Sequence, residues 1–501
     1  MSRVAVRSAF EWHVPADRQH WSRLKNSLPG LKSIGVDHLW IPPGCKGMDP
    51  SGNGYDIYDL YDLGEFDQKG SIATKWGTKT DLEEMANQAS ALGIGIIWDA
   101  VLNHKAGAEY PEQFDAVAVH PQQRDKMVSK PLQVHGWTGF DFPGRGNVYS
   151  AMKYHWPHFS GVDWDDESKT QQIFRILGPN KDWAPDVSTE NGNYDYLTFA
   201  DLDHSHPDVH SDLLQWGSWI TELLPLSGMR LDAAKHFSVQ FQRDFIRHVR
   251  KQVNPDLLVM GEYWTGDVSA IQHYLKELDY EAMAYDVPLL EKLSRISHIP
   301  HADLRSIFDD TLVKLQPDHA VTFVTNHDTQ TGQMMDTPVA PSFKLLAYAL
   351  ILLRKEGLPS LFYGDLYGVQ ANTKHPMTPE CDGKLPILTR ARKNFAYGEQ
   401  DDYFDQPNCI GFVRYGNANH RGLACVLSNA GPNWKQMFVG KQYSGSKWID
   451  LLEGHSAPVT IDKKGCGNFP VKAMGVSVWV DAAGLKPEGL REDFNLNIYS
   501  Y

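Results

Sequence analysis

Apolar positions over the first four-fifths of the chain repeat one rhythm, a short β-branched or apolar run ending in polar residues and then a helical stretch. That alternation predicts a parallel sheet with helices outside it. The runs that qualify as strands are Val4–Trp12, Val36–Pro42, Ile94–Val101, Met229–Asp232, Leu257–Glu262, Ala282–Val287, Ala320–Asn326 and Leu358–Tyr363. Eight strand–helix units predict an α/β fold of the (β/α)8 TIM-barrel type. One helix shows the quality of the pattern. Thr80 can cap it, Glu83 completes a capping box, Leu82, Met85, Ala86, Ala89 and Leu92 form its apolar face, and Gly93 stops it.

The rhythm breaks twice. Between the third and fourth strands, His104 to Pro207 is far too long for a loop and predicts an inserted domain. After about Ala396 the helical stretches disappear, and Gly411–Tyr415, Gly422–Leu427, Lys435–Val439, Ser446–Ile449 and Val476–Val480 alternate like antiparallel strands, predicting a β-sandwich. The expected division is therefore a barrel from 1–103 and 208–395 (domain A), an insertion from 104–207 (domain B), a carboxy-terminal sandwich from 396–483 (domain C) and an extension from 484–501. The extension, with Pro487 and Gly489, has no clear pattern and is expected to be loose or docked. The purest apolar run, Leu345–Leu353 between Lys344 and Arg354, is far short of the roughly 20 residues that span a bilayer, and reads as a buried helix.

Composition narrows the choice of ligand. Forty-eight basic and 62 acidic residues among 501 give a formal charge of −14, which argues against nucleic acid or an acidic membrane surface as partner. Fifteen Trp and 21 Tyr offer flat faces for stacking, although most aromatics fill cores. The segment Met1–Arg7 has no apolar signal core, and the five cysteines are odd in number and lack metal-ligand spacing. Both features predict reduced thiols in a cytoplasmic protein, although a leader already removed would leave the same sequence.

In a barrel, chemistry gathers at the carboxyl ends of the strands. Asp99 ends the third strand with Asn103 and His104 just beyond, Asp232 the fourth, Glu262 the fifth, and His327 and Asp328 the seventh. A single buried acid is ordinarily satisfied by a nearby Arg or by backbone amides. Three acids from separate strands instead suit glycosidic cleavage, which needs one protonated and one ionised carboxyl.

Four ordered segments carry a family resemblance. Asp99-Ala-Val-Leu-Asn-His104, Gly228-Met-Arg-Leu-Asp-Ala-Ala-Lys-His236, Gly261-Glu-Tyr-Trp264 and Val324-Thr-Asn-His-Asp328 resemble the signature regions of the α-amylase family, glycoside hydrolase family 13. Trp40-Ile-Pro-Pro43, the run Gly54–Phe66, Phe142-Pro-Gly-Arg-Gly146, Asn191–Tyr196 and Tyr363-Gly-Asp365 look like its liquefying bacterial subfamily, which also has signal-less intracellular members in fungi. The resemblance implies a retaining endo-hydrolase of α-1,4-glucan in starch, glycogen and malto-oligosaccharides. Asp232 would be the nucleophile, Glu262 the general acid then base, and Asp328 would fix the distorted sugar. Arg230 would hold Asp232 ionised, and burial behind Leu257–Met260 would raise Glu262. His104 and His327 would bond sugar hydroxyls, Tyr55 would stack at the cleavage point, and Trp12, Lys235, His236 and Trp264 would line neighbouring subsites, with core packing the competing role for Trp12.

The resemblance also implies one calcium between the insertion and the barrel, held by Asn103, Asp195, Asp201 and the main-chain carbonyl of His236. Ser160, Ala184 and Ser205 stand where the subfamily places aspartates for a second calcium and a sodium, leaving only Asp203, so those ions are expected to be absent. Pro407, Asn408 and Asn429 likewise replace the ligands of a further site between barrel and sandwich. The enzyme is expected to act as a monomer on an α-glucan. A 4-α-glucanotransferase or maltooligosaccharide-forming enzyme with the same site is the alternative activity. A non-catalytic glucan binder is disfavoured because all three acids are present.

Overall fold

The computed structural model describes residues 5–369, 373–484 and 493–500. Val4, where the first strand was expected to begin, and residues 485–492 of the expected extension lie outside them. Eight strands close into a barrel: β1 (Val6–Ser8), β2 (His38–Trp40), β3 (Gly95–Ala100), β4 (Leu226–Leu231), β5 (Leu258–Gly261), β6 (Met283–Tyr285), β7 (Ala320–Phe323) and β8 (Leu358–Leu361). Neighbours pair in parallel, and closure is made at β1, where Val6 pairs with His38 on one side and Ser360 on the other.

The strands overlap the eight expected runs, but each stops earlier at its carboxyl end. Past Ser8 the chain leaves the sheet, and the Trp12 N–H bonds the Gln330 side chain at 3.1 Å instead of a neighbouring strand. Apolar sequence continues beyond the ladder because the mouth of the barrel is itself buried.

The helix after β2 runs from Lys79 to Ala91, and its cap differs from the expected one. Thr78 accepts from the Asp81 N–H while Asp81 accepts from the Thr78 N–H, so the box is Thr78–Asp81 rather than Thr80–Glu83. Both spacings occur in the sequence. Gly77, at φ +147°, turns the chain immediately before Thr78 and thereby selects the first.

The apolar run lies in the helix Pro341–Leu353, where ten residues are buried. Lys344 is among them, and its ammonium donates to Asp365 at 2.6 Å, with the Tyr348 hydroxyl donating to the other carboxylate oxygen at 2.5 Å. Asp365→Asn leaves that ammonium inside the core with Glu380, 3.3 Å away, as its remaining carboxylate partner. The expected cost is therefore about 2 kcal/mol, below that of an uncompensated buried charge, read from the denaturation midpoint.

Residues between β3 and β4 form an antiparallel sheet that joins His104–Lys105, Ala200–Leu202, Phe159–Asp165, Thr170–Ile176, Tyr110–His120 and Gln123–Met127, with Leu132–Gly139 also paired to Tyr110–His120. The last part of the chain forms a six-stranded antiparallel sheet facing a two-stranded one, with Val413, Val426, Met437, Phe469 and Trp479 packed between them. The expected strands there all overlap observed ones. Gln400–Gln406, Val459–Thr460 and Cys466–Val471 complete the sheets and were not singled out by their pattern.

Asn408 and Asn429 tie this unit to the barrel. The Asn408 amide donates to the His301 and Ala302 carbonyls at 2.7 and 3.1 Å, and Asn429 donates to Ala302 at 2.7 Å. Residues 493–500 dock on the barrel, where Phe494 stacks on Tyr367 and Tyr499 lies under the Arg23 guanidinium.

Candidate active site

Register along β3, β4 and β5 places the acids. Arg230 pairs with Asp99 on one side and Met260 on the other, so Asp232 and Glu262 leave adjacent strands at the same level. The Asp232 N–H still bonds Ala100, and the Glu262 N–H bonds Leu231. One guanidinium collects all three carboxylates of these strands. Arg230 Nη1 lies 2.6 Å from Asp99 Oδ1 and 2.8 Å from Asp232 Oδ1, and Nη2 lies 2.5 Å from Glu262 Oε1. The other Glu262 oxygen accepts the Ala233 N–H at 3.0 Å.

Dividing one cation among three acids changes the expected electrostatics. Burial raises Asp232 well above the ordinary aspartate value, and Arg230 offsets this only in part against Glu262, Asp99 and Asp328. Arg230 favours the ionised form of Asp232, as expected, but its charge is shared with Asp99 and Glu262 and not reserved for it. Burial raises Glu262 as expected, again opposed by Arg230. The two acids titrate as a pair, and burial makes one proton hard to remove from it. Asp328 goes the other way. Burial would raise it, but the His327 imidazole at 3.0 Å and Arg230 hold it below the usual range.

Aromatic rings line the mouth. Trp12, Tyr55 and His327 lie parallel, with interplanar angles of 5°, 1° and 6° and centroids 5.3 to 6.1 Å apart. Trp12 is half-buried, so it belongs to this wall and not to the core. The Tyr55 hydroxyl donates to Asp99 at 2.8 Å, and the His104 ring bonds the Tyr55 carbonyl at 2.8 Å. Burial lowers His104 to about 4 and keeps it neutral. Lys235 donates to Glu190 at 3.0 Å and to the Trp264 carbonyl at 2.8 Å, drawing those residues together on the far side.

The side chains of the expected calcium ligands Asn103, Asp195 and Asp201 also converge. Asn103 Nδ2 lies 3.3 Å from Asp201, Ser160 donates to Asp201 at 2.6 Å, and His236 Nδ1 bonds the Tyr194 carbonyl, one residue from Asp195. Asp195 and Asp201 are buried with no cationic side chain in an ion pair with either among the described residues, and burial raises both, reinforced at Asp195 by Asp203 and Asp186 and at Asp201 by Asp195 and Asp203. Asn103 Oδ1 is buried without a hydrogen-bond donor. An unmatched pair of carboxylates beside an orphan amide oxygen is a donor set that fits calcium. A second cluster, His158, His206 and Asp208, brings ligand atoms within 4.8 Å of one another. It does not fit a metal. Each imidazole Nδ1 accepts a main-chain N–H, from His155 and Asp208 respectively, so each Nε2 carries a proton where a lone pair is needed.

Two features escaped the sequence reading. Gln330 bridges Glu11 and the Trp12 N–H and so fixes the ring wall. A cavity of about 410 Å³ lies beyond His104, whose ring is 5.5 Å from Phe199; it is lined by Phe199, Met48, Asp163, Trp164 and Trp137, the last 42% exposed. The exposed Trp137 on an alternating strand was the available signal.

Buried carboxylates around one guanidinium at the mouth of a parallel barrel are the equipment of a glycoside hydrolase. Residues 20–385 match the α-amylase catalytic domain and residues 423–480 the α-amylase C-terminal domain, and the chain belongs to the α-amylase family. It is 44% identical to a glucan 1,4-alpha-maltohexaosidase of Bacillus sp. (strain 707), over 94% of this chain and 91% of that one. It is 36% identical to a cytoplasmic alpha-amylase of Escherichia coli (strain K12), over 96% and 99%. The solved alpha-amylase of Geobacillus thermoleovorans complexed with acarbose shares the fold at a TM-score of 0.63 and 18% identity, over 95% and 98%.

Proposed function

We propose that the chain is an endo-acting α-amylase that cleaves internal α-1,4-glucosidic bonds of starch, glycogen and malto-oligosaccharides with retention of configuration. The observation that carries this reading is the Asp232–Glu262 pair on a single guanidinium. Asp232 Oδ attacks the anomeric carbon as Glu262 gives its proton to the leaving glycosidic oxygen. Water then attacks the glycosyl ester, returning its proton to Glu262 and freeing Asp232. Asp328 holds the reacting sugar, His104 and His327 bond its hydroxyls, and the Tyr55 ring stacks beneath it.

Timed products from soluble starch and maltoheptaose test this reading. Mixed short oligosaccharides appearing first as α-anomers are expected; sustained products longer than maltoheptaose would make the chain a glucanotransferase. A maltooligosaccharide-forming enzyme is the second reading, favoured by the cavity beyond His104. If Trp137 stacks on a distal sugar there, Trp137→Ala raises KM for long chains roughly 10-fold and leaves maltotriose kinetics unchanged.

Domain B, 104–207, is proposed to be joined to the barrel by one calcium on Asn103, Asp195, Asp201 and the His236 carbonyl, where the ion supplies structural charge neutralisation. Hydrogen-bond donors support the absence of further ions: Ser160 donates to Asp201, the Ala184 N–H to Asp195 at 2.9 Å, and Ser205 to Asp203 at 2.6 Å. A cytoplasmic monomer is proposed, in keeping with five free cysteines, and no helix among the described residues is long and apolar enough to cross a membrane.

A further inference from the structure

Lys181 is a strongly buried ammonium in a corner of the inserted sheet that the site above does not use. Its side chain is 6% exposed and pairs with Asp203, 8% exposed. Nζ donates to Asp203 Oδ2 at 2.6 Å, to the Phe159 carbonyl at 3.1 Å and to the Pro157 carbonyl. Those oxygens come from two separate segments, one spanning Pro157 and the first residue of the strand Phe159–Asp165, the other the residue after the strand Ala200–Leu202. Two carbonyls and a carboxylate are hard oxygen ligands of the kind a metal ion collects. Here three N–H bonds of one ammonium use them.

The rest of the nest is closed in the same way. Asp203 Oδ1 accepts both the Ser205 N–H at 3.0 Å and its hydroxyl at 2.6 Å, so neither carboxylate oxygen lacks a donor. The Asp203 N–H bonds the His158 carbonyl at 2.9 Å and completes the link between the two segments. Ser160, Ala184 and Ser205 likewise each present a donor, to Asp201, Asp195 and Asp203 respectively.

We propose that the Lys181 ammonium is the resident cation of this second oxygen-lined site, supplied by the chain itself in place of a metal ion. This rests on the one-calcium reading above. The corner formed by residues 157–159, 178–184 and 201–205 therefore stays joined whatever the metal supply, and chelation reaches only the ion at Asn103, Asp195 and Asp201.

The test is a thermal double-mutant cycle in the full chain. Lys181→Met keeps most of the apolar stem and removes the charge, stranding Asp203 and two carbonyls, and its Tm is expected to fall by roughly 5 °C. Asp203→Asn should cost a similar amount, and the double variant no more than either single one, because no buried charge is then left alone. A Lys181→Met protein within 1 °C of the parent, or losses that simply add, would overturn the proposal. If Lys181→Met does not fold, recovery of soluble protein by adding Asp203→Asn supports it and failure to recover counts against it. Calcium content of the dialysed parent is measured separately. Two or more ions with the coupling intact would overturn the one-calcium reading and leave the lysine pair standing.

Discussion

Glu262→Gln lowers kcat on starch by roughly 10²–10⁴-fold, because the leaving oxygen then receives no proton from the protein. Its pH profile changes as well. In the parent, activity falls as pH rises through the Glu262 value, which burial lifts above that of an ordinary glutamate. It falls again on the acid side as the pair takes up its second proton, which neutralises the Asp232 nucleophile. Asp328, held low by His327 and Arg230, stays ionised throughout. The substitution should abolish the alkaline limb and keep the acid one. α-Maltosyl fluoride separates the two acids, since fluoride leaves without help: Glu262→Gln should accumulate a covalent maltosyl adduct on Asp232, seen by mass spectrometry, whereas Asp232→Asn should form none. Unchanged starch hydrolysis by Glu262→Gln would remove the proposed roles together.

Chelation is expected to destabilise the protein strongly and in a pH-dependent way. Without a cation, burial and the neighbouring carboxylates raise Asp195 to about 7 and Asp201 well above the ordinary value. A raised acid binds protons more tightly in the folded state, so this part of the stability is present at low pH and is lost as pH climbs from about 4 to about 7. Calcium reverses the penalty by binding the ionised pair. A free-ion concentration of 100 times Kd is worth about 2.7 kcal/mol. The Tm gap between calcium-loaded and chelated protein should therefore be wider at about pH 8 than at about pH 5.5, and closed again by added calcium. An equal gap at both values would dissociate the ion from these two aspartates.

The barrel was legible because each strand advertises itself twice, by its apolar run and by the polar residue that ends it. Asp232, Glu262 and Asp328 sit where those runs stop. Strand ends were read too long for the same reason, since the residues after Ser8 and Phe323 stay buried without staying in the ladder. The helix cap was misread because Thr78–Asp81 and Thr80–Glu83 overlap, and only the turn at Gly77 decides between them. Charge sharing was beyond the sequence altogether. Arg230 lies two residues from Asp232, which suggests a private pair, and only the register of β3, β4 and β5 brings Asp99 and Glu262 onto the same guanidinium.

The amides of Asn408 and Asn429 bear on how the molecule ages. Each presents N–H groups to main-chain carbonyls of the barrel. Hydrolysis of either amide to a carboxylate, the slow chemistry to which asparagine is prone, would set acceptor against acceptor at His301 and Ala302. The join between barrel and sandwich would then repel where it had held, and only a cation placed between the oxygens could close it. Old protein would thus acquire at this seam an appetite for metal ions that the freshly made chain does not have.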